Sequence, residues 1–205
     1  MRSREVAKEP VSTKQNNRTS SAPATPPVMD DEAINRALRR IAHEIIERNP
    51  GPELGSVILA GIPSRGIEIA RRIADIIQLL AGTPVETGVI DISMHRDDVG
   101  KRAELPRVQA SRLPLPLENK TVIIVDYVFF TGRTARAAMD ALSSFGRPAR
   151  IQLAALIDRG HRELPIRVDY VGKNLPTATG ERVRLRLENV DREPDAVWLV
   201  KEEKA

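Results

Sequence analysis

Apolar residues recur every three or four positions in three stretches of the chain, which is the spacing of an amphipathic helix. The first stretch covers 33–46, the second 67–80 and the third 132–145. Asp30 or Asp31 stands where the N-cap of the first helix is expected. The pattern therefore predicts three helices, each with one buried face.

Short runs of Val, Ile, Leu and Ala separate these helices and follow the last of them. They predict strands at 56–60, 85–93, 121–126, 151–157, 168–171, 183–187 and 196–200. The run at 121–126 is almost continuously β-branched, as in a parallel strand that is buried on both faces. Strands that alternate with helices predict an α/β fold with a mostly parallel sheet, which binds ligands at the carboxyl ends of its strands.

Two segments lack any such pattern. Residues 1–28 are rich in Ser, Thr, Asn and Pro and have few apolar side chains, so they cannot bury enough surface to offset the entropy lost on ordering. We expect a disordered tail over 1–28 and a folded domain over 29–205. Charged residues and prolines dominate 97–117, which predicts a long flexible loop.

Composition excludes several kinds of chemistry. The 205 residues include no cysteine, so disulfides, thiolate metal sites and thiol nucleophiles are ruled out. No apolar stretch approaches the ~20 residues of a membrane span, and the start does not resemble a secretory signal. We therefore expect a cytoplasmic protein. The net charge of +4 is concentrated in the tail, so a nucleic-acid site would have to come from local clusters of basic residues.

The most informative segment joins the strand at 121–126 to the helix at 132–145. Asp126 ends the strand, and Thr131-Gly132-Arg133-Thr134 opens the helix. Backbone N–H groups and threonine hydroxyls at a helix start can bind a phosphate, and a carboxylate beside them can accept hydrogen bonds from sugar hydroxyls. The same spacing also fits an ordinary strand-to-helix turn that Thr131 merely caps.

This segment resembles the signature of type I phosphoribosyltransferases, which is an apolar strand, two adjacent acids and a Thr-Gly-x-Thr loop. The resemblance implies that the acid holds the ribose of phosphoribosyl pyrophosphate (PRPP) and that the loop holds its 5′-phosphate. The loop at 61–66 lies where this family binds the pyrophosphate group. The implied binding residues are Ser64, Arg65, Gly66, Asp126, Tyr127, Thr131, Gly132, Arg133 and Thr134.

Other segments narrow the resemblance to the PyrR family of pyrimidine-operon attenuation regulators that are also uracil phosphoribosyltransferases. Examples are ALRRIAHEIIERN at 37–49 and DRGHRELPIR at 158–167, and the resemblance extends over about residues 30–200. It implies a type I phosphoribosyltransferase fold with a small hood and a flexible loop. It also implies transfer of phosphoribose from PRPP to uracil, with UMP and pyrophosphate as products. Mg²⁺ would be bound through PRPP rather than by a protein metal site, and the chain would form a homodimer or homotetramer.

The same resemblance implies further roles. Arg96 matches a position near the pyrophosphate and joins Asp126 as an implied catalytic residue. The implied uracil-binding region is Asp158, Arg159 and Gly160. The implied contacts to pyrimidine-operon messenger RNA are Arg39, Arg40, His43, His161, Arg162 and Arg167. Because glutamates lie close by in the sequence, these basic residues also fit a solvated, salt-bridged surface.

One position departs from the family signature. Tyr127 stands where the second acid is expected, and a neutral phenol cannot replace a carboxylate that accepts a ribose hydroxyl. One charged hydrogen bond contributes about 1.5–3 kcal/mol, so we expect weakened catalysis. Pro63 also removes one amide donor from the pyrophosphate loop. Three functions remain open: a uridine-nucleotide-sensing regulator with weak transferase activity, a phosphoribosyltransferase without RNA binding, and a non-catalytic nucleotide sensor.

Overall fold

The computed structural model describes residues 25–97, 109–178 and 180–201. Three long helices are α1 (Asp31–Arg48), α2 (Arg65–Ala81) and α3 (Arg133–Ser143). Five strands are β1 (Val57–Gly61), β2 (Glu86–Val89), β3 (Thr121–Phe129), β4 (Arg150–Asp158) and β5 (Tyr170–Asn174). They form one sheet in the order β2-β1-β3-β4-β5, and every neighbouring pair is parallel. The predicted α/β fold is confirmed.

The sheet is covered on both faces. Alternate residues of β1 point to opposite sides: Val57 and Leu59 pack in the cluster beneath α1 and α2, whereas Ile58 and Ala60 pack in the cluster beneath α3. All five residues of β1 are buried. Burial on both faces explains why the central strands are continuous apolar runs rather than alternating ones.

A second, two-stranded antiparallel sheet lies against α1 and α2. It consists of β6 (Glu181–Arg186) and β7 (Ala196–Lys201), joined by the short helix α4 (Glu188–Asp191). We call residues 181–201 the hood. Its apolar residues Val183, Leu185 and Val197 belong to the same core cluster as the inner faces of α1 and α2.

Buried ionic contacts fasten the hood to α2. Asp195 pairs with Arg72, and Asn189 donates a hydrogen bond of 2.7 Å to Glu68. Burial opposes ionisation of Glu68, but hydrogen bonds from Arg71, Arg72 and Asn189 lower its pKa to about 2. The carboxylate therefore stays charged at neutral pH and holds the two elements together.

The predicted elements differ from the observed ones mainly at their ends. The strand expected over 85–93 ends at Val89, although Ile90 and Ile92 are buried in the core beyond it. These apolar residues mark burial rather than a longer strand. The Ile90 N–H still donates to the Gly61 carbonyl at 3.1 Å, but β1 ends at Gly61, so β2 has no further residues of β1 to pair with. The helix α4 was missed because four residues are too few to display a helical period.

Parts of the predicted tail and flexible loop are described. Residues 1–24 and 98–108 lie outside the described ranges. Val28 donates to the Val197 carbonyl at 2.7 Å, so the expected boundary at 28/29 falls within a hydrogen-bonded segment. Arg112 forms an antiparallel bridge with Val89, and Leu117 is fully buried, so the second half of the predicted loop packs on the sheet.

Within the described ranges, no helix has the length and apolar content that crossing a membrane requires.

Candidate functional site

A cavity of about 540 Å³ opens at the carboxyl ends of β1 and β3. It is formed by the loop after β1, by residues 92–97 and by the turn between β3 and α3. Its lining includes the predicted residues Ser64, Arg65, Arg96, Asp126, Tyr127, Thr131, Gly132, Arg133, Thr134 and Arg159. The fold thus brings residues from positions 64 to 159 to one site, as expected for ligand binding at the ends of parallel strands.

Asp126 lies near the carboxyl end of β3 and accepts a 2.7 Å hydrogen bond from the Tyr127 N–H. Burial raises the pKa of Asp126 to about 6, although the backbone N–H groups of Tyr127 and Val128 and the charge of Arg96 act in the opposite direction. The carboxylate is therefore mostly ionised at pH 7 and can accept hydrogen bonds there. The effect of the Arg96 charge on this pKa indicates that Arg96 lies close to Asp126.

The start of α3 is built to expose backbone donors. Gly132 has a φ of +94°, which is unfavourable for other residues, and a Cβ there would lie 3.3 Å from that of Leu164. The Thr131 carbonyl accepts hydrogen bonds from Glu163 and Leu164 at 3.0 and 3.1 Å, which fixes the turn. The first N–H groups of a helix have no partner within it, so they are available to an anion in the cavity.

The loop after β1 is held directly against β3. The Ile62 N–H donates to the Val125 carbonyl at 2.9 Å. A Cβ on Gly66 would lie only 2.5 Å from the same carbonyl oxygen, so only glycine lets α2 approach this closely. Gly66 does not line the cavity but sets the position of Ser64 and Arg65, which do. The peptide bond between Pro63 and Ser64 is cis.

Arg65 reaches from this loop to the hood. Its Nη2 and Nε donate to the two carboxylate oxygens of Asp191 at 2.6 and 3.2 Å. Its Cζ also lies 6.0 Å from the centroid of the Tyr127 ring. Sequence reasoning missed Asp191, because 126 residues separate it from Arg65 and no local pattern links them.

Tyr127 occupies the cavity wall next to Asp126. Burial, followed by the neighbouring Asp126 charge, raises the pKa of its phenol, so the group is neutral at pH 7. The position where the family signature has a second acid therefore carries a partly buried aromatic ring.

The Arg133 side chain is engaged by two carboxylates. It donates to Asp97 at 2.5 Å and to Glu163 at 2.7 Å, and it is half exposed. The hydrogen bond with Arg133 lowers the pKa of Asp97. Asp97 thus acts as an ion-pair partner at the root of the loop. In the part of the chain that the structure covers, no three His, Cys, Asp or Glu residues are grouped so as to hold a metal ion.

The predicted uracil-binding region follows β4. Asp158 ends that strand and accepts from the Gly160 N–H at 2.9 Å and from Arg162. Arg159 lines the cavity and lies 4.0 Å above the ring of Phe130. Phe130, which sequence reasoning did not single out, is 38% exposed, and such exposure of an aromatic ring is visible only in the structure.

The predicted RNA-binding residues lie along the edge of the sheet rather than in the cavity. Arg40 of α1 donates to the carbonyls of Val171 and Gly172 in β5, the edge strand. Farther along the helix, Arg48 pairs with Asp169 just before that strand. The exposed Arg39 and His43 lie on α1, and the exposed Arg167 precedes β5.

His161 and Arg162 lie at the other end of this edge. The His161 Nε2 is 2.7 Å from the Thr177 carbonyl, and Arg162 pairs with Asp158 and covers the Phe129 ring at 4.3 Å. The six predicted residues therefore follow α1 and the two ends of β5. They do not converge on one point.

A larger cavity of about 780 Å³ lies between α1, α2 and the hood. Its acidic lining residues are Asp30, Asp31, Asp75, Glu188, Glu193 and Asp195, with Arg72 as the basic one. Such a lining repels phosphate groups. The cavity beside Asp126 is therefore the candidate phosphate site.

Comparisons with known proteins agree with this geometry. The phosphoribosyl transferase domain family matches residues 28–185. The chain is 54% identical to the Bifunctional protein PyrR of Bacillus pumilus (strain SAFR-032) over 80% of this chain and 92% of that protein. It is 54% identical to the Bifunctional protein PyrR of Chloroflexus aurantiacus (strain ATCC 29366 / DSM 635 / J-10-fl), with 84% of this chain and 93% of that protein covered.

Solved structures share the fold at low sequence identity. The hypoxanthine phosphoribosyltransferase of Trypanosoma cruzi superposes with a TM-score of 0.62 at 18% identity, covering 88% of this chain and 98% of that one. A hypoxanthine-guanine phosphoribosyltransferase of Bacillus anthracis gives 0.64 at 17% identity, covering 86% and 98%. The parallel sheet flanked by helices is thus that of the type I phosphoribosyltransferase fold, and the chain belongs to the phosphoribosyl transferase domain family and, within it, to the PyrR family.

Proposed function

We propose that the protein transfers phosphoribose from PRPP to uracil in the cytoplasm, senses uridine nucleotides at the same site, and binds messenger RNA of pyrimidine genes. The observation that carries the proposal is one cavity that combines Asp126, the start of α3 and the loop around Arg65. The partners are those implied for the PyrR family, and a cytoplasmic location follows from PRPP and messenger RNA as ligands.

In this proposal each part of PRPP meets a different element. The 5′-phosphate binds the exposed N–H groups and hydroxyls from Thr131 to Thr134, and the diphosphate binds the loop that carries Ser64 and Arg65. Asp126 accepts a hydrogen bond from a ribose hydroxyl. β1 and β3 are hydrogen-bonded neighbours, and the loops that follow them line the same cavity, although β3 continues four residues past Val125, the register partner of Gly61. One ligand can therefore bridge them.

The reaction exchanges one bond at the anomeric carbon for another. The bond from C1′ to the diphosphate oxygen breaks and pyrophosphate leaves with its electron pair. The bond from C1′ to the uracil ring nitrogen forms, and the proton of that nitrogen passes to the pyrophosphate or to water. Arg65 and Arg96 line the cavity and balance the charge that develops on the departing pyrophosphate. The uracil region follows β4 beside the end of β3, since Asp158 is the register partner of Phe129, and its residue Arg159 lines the cavity.

Mg²⁺ would enter with PRPP. Asp126 and Asp97 are the carboxylates among the lining residues, too few for an all-protein site, and Asp97 is already paired with Arg133. This donor set suits an ion held mainly by oxygens of PRPP and by water. When bound, Mg²⁺ would offset the negative charge of the diphosphate.

The pH dependence of PRPP binding tests the role of Asp126. A ribose hydroxyl needs the ionised carboxylate, and burial raises the pKa of Asp126 to about 6. Affinity should therefore be highest above pH 7 and fall as the pH drops through 6, measured by calorimetry between pH 5 and 8. Since phosphate groups also titrate near pH ~6, Asp126→Asn is the control. An identical pH profile in wild type and Asp126→Asn would contradict this role.

The salt dependence of RNA binding tests the edge formed by α1 and β5. We expect Arg162→Ala and Arg167→Ala each to reduce the slope of log affinity against log salt by about one unit if each removes a phosphate contact. Arg184→Ala on β6 of the hood serves as a matched control and should leave the slope unchanged. Filter binding to a pyrimidine-operon leader RNA at several salt concentrations measures this slope. A slope that survives the double substitution would rule out this face.

The same preparation separates the two alternative functions. A phosphoribosyltransferase without RNA binding would form UMP from uracil and PRPP but fail the RNA assay. A non-catalytic sensor would bind UMP without turnover. Dimer or homotetramer formation, which we include in the proposal, is read from light scattering on the same sample.

A further inference from the structure

The contact between Arg65 and Asp191 joins the candidate diphosphate loop to the hood. The guanidinium uses its Nε and Nη2 atoms, the side-on edge, for both carboxylate oxygens. The Asp191 side chain is only 8% exposed. It also accepts from the Leu187 N–H at 2.9 Å and from Arg186 at 3.0 Å. Two partners other than Arg65 therefore fix the carboxylate, so it cannot follow if Arg65 moves.

A guanidinium has a second edge, formed by its two terminal nitrogens, that can bind another anion. No residue within the described part of the chain accepts a hydrogen bond from the Nη1 of Arg65. The side chain is 25% exposed and lines the cavity beside Asp126. Its Cζ lies 6.0 Å from the Tyr127 ring centroid, at the outer limit of a cation–π contact.

We propose that Asp191 is a positioning residue: it holds Arg65 by the side-on edge so that the opposite edge faces the diphosphate of PRPP. The inference rests on the proposed function, in which the Arg65 loop binds that diphosphate. An arginine side chain that is already ordered loses little conformational entropy when it binds an anion. The hood would thus contribute to PRPP affinity without touching PRPP.

The opposite role is physically reasonable and is decided by experiment. A carboxylate beside Arg65 also offsets its charge, and a competing counter-ion would weaken diphosphate binding. Replacing Asp191 by asparagine keeps the size of the side chain but removes the charge and the paired acceptors. Positioning predicts weaker binding in Asp191→Asn, and competition predicts tighter binding.

The test is a double-mutant cycle read by calorimetry with pyrophosphate and Mg²⁺ and by steady-state kinetics. Asp191→Asn should weaken pyrophosphate binding and raise KM for PRPP about threefold to tenfold, the effect of re-ordering one long side chain, with KM for uracil unchanged. Arg65→Gln should weaken binding at least as much. In the Arg65→Gln background, Asp191→Asn should have no further effect, because the residue it positions is gone.

Asp195→Asn is the matched control. It breaks another buried aspartate–arginine pair between the hood and α2, with Asp195 9% exposed, but its partner Arg72 does not line the cavity beside Asp126. It should lower the melting temperature and leave KM for PRPP unchanged.

Three results would overturn the proposal: tighter pyrophosphate binding in Asp191→Asn, equal losses in both backgrounds, or an equal rise in KM for PRPP with Asp195→Asn. If Arg65→Gln binds pyrophosphate normally, the proposal fails while Asp126 and α3 keep their roles. If wild type binds neither pyrophosphate nor PRPP, the proposed function itself fails, and this inference fails with it.

Discussion

Replacing both Thr131 and Thr134 by valine should lower the affinity for PRPP and UMP by about a hundredfold or more. The two hydroxyls lie at the start of α3, next to the first backbone N–H groups of the helix and in the lining of the cavity. A hydrogen bond to a charged phosphate contributes about 1.5–3 kcal/mol, so losing two corresponds to about 10²–10⁴ in affinity. Valine keeps the branched shape of threonine but removes the hydroxyl, which at Thr131 also accepts a 3.4 Å hydrogen bond from the Arg133 N–H. Calorimetry with Mg²⁺ measures the change.

A hydroxyl at the other end of the same helix provides the control. Ser143 donates to the Asp140 carbonyl at 2.6 Å in the last turn of α3, far from the cavity. Ser143→Ala should leave the affinity for PRPP within error of wild type. If the double valine variant folds and binds UMP as tightly as wild type does, α3 is not the phosphate site.

Introducing the missing acid should increase turnover. We expect Tyr127→Asp to raise the rate of UMP formation from uracil and PRPP by about tenfold to a hundredfold, the contribution of one charged hydrogen bond to a ribose hydroxyl. Asp126 and the start of α3 already line the cavity, so the variant completes the pair of acids in an otherwise intact site. The gain should appear in kcat/KM for PRPP.

Tyr127→Phe separates the carboxylate from mere loss of the phenol. The ring packs near Arg65, and phenylalanine preserves that contact while removing the hydroxyl. It should leave turnover at the wild-type level. Full activity in wild type, with no gain in Tyr127→Asp, would mean that a second acid is dispensable here. A folded but inactive Tyr127→Asp variant would mean that the low activity has another cause. The next candidate is Pro63, which cannot donate a hydrogen bond to the diphosphate.

The features that the sequence predicted well depend on neighbouring residues. Continuous apolar runs predicted the buried parallel strands, and the succession of strand, acid and helix start between positions 121 and 134 predicted the lining of the cavity. The fold class and the family were also predicted from short motifs in a fixed order, and both predictions were confirmed. Element ends were less accurate, because burial continues past the hydrogen-bonded part of a strand, as at Ile90.

What the sequence could not predict depends on distant residues. Asp191 gives no local sign that it holds Arg65, and Arg133 gives no sign that its charge is shared between Asp97 and Glu163. Both contacts arise only when the hood and the loop root pack beside the cavity. The individual roles of the site residues and of the RNA face therefore remain predictions for the experiments described above.

Arg40 makes a structural contact that is independent of the proposed RNA face. It donates to two carbonyls of β5, at the open edge of the five-stranded sheet, where unpaired backbone groups invite a strand from another molecule. Successive carbonyls of a strand point to opposite sides, so the arginine occupies at most one acceptor that an added strand would need, and we expect it to disfavour edge-to-edge pairing. An Arg40 variant with weaker RNA binding would therefore also be expected to self-associate more readily through β5. Arg39, one position along the same helix, is therefore the better residue for separating RNA recognition from self-association.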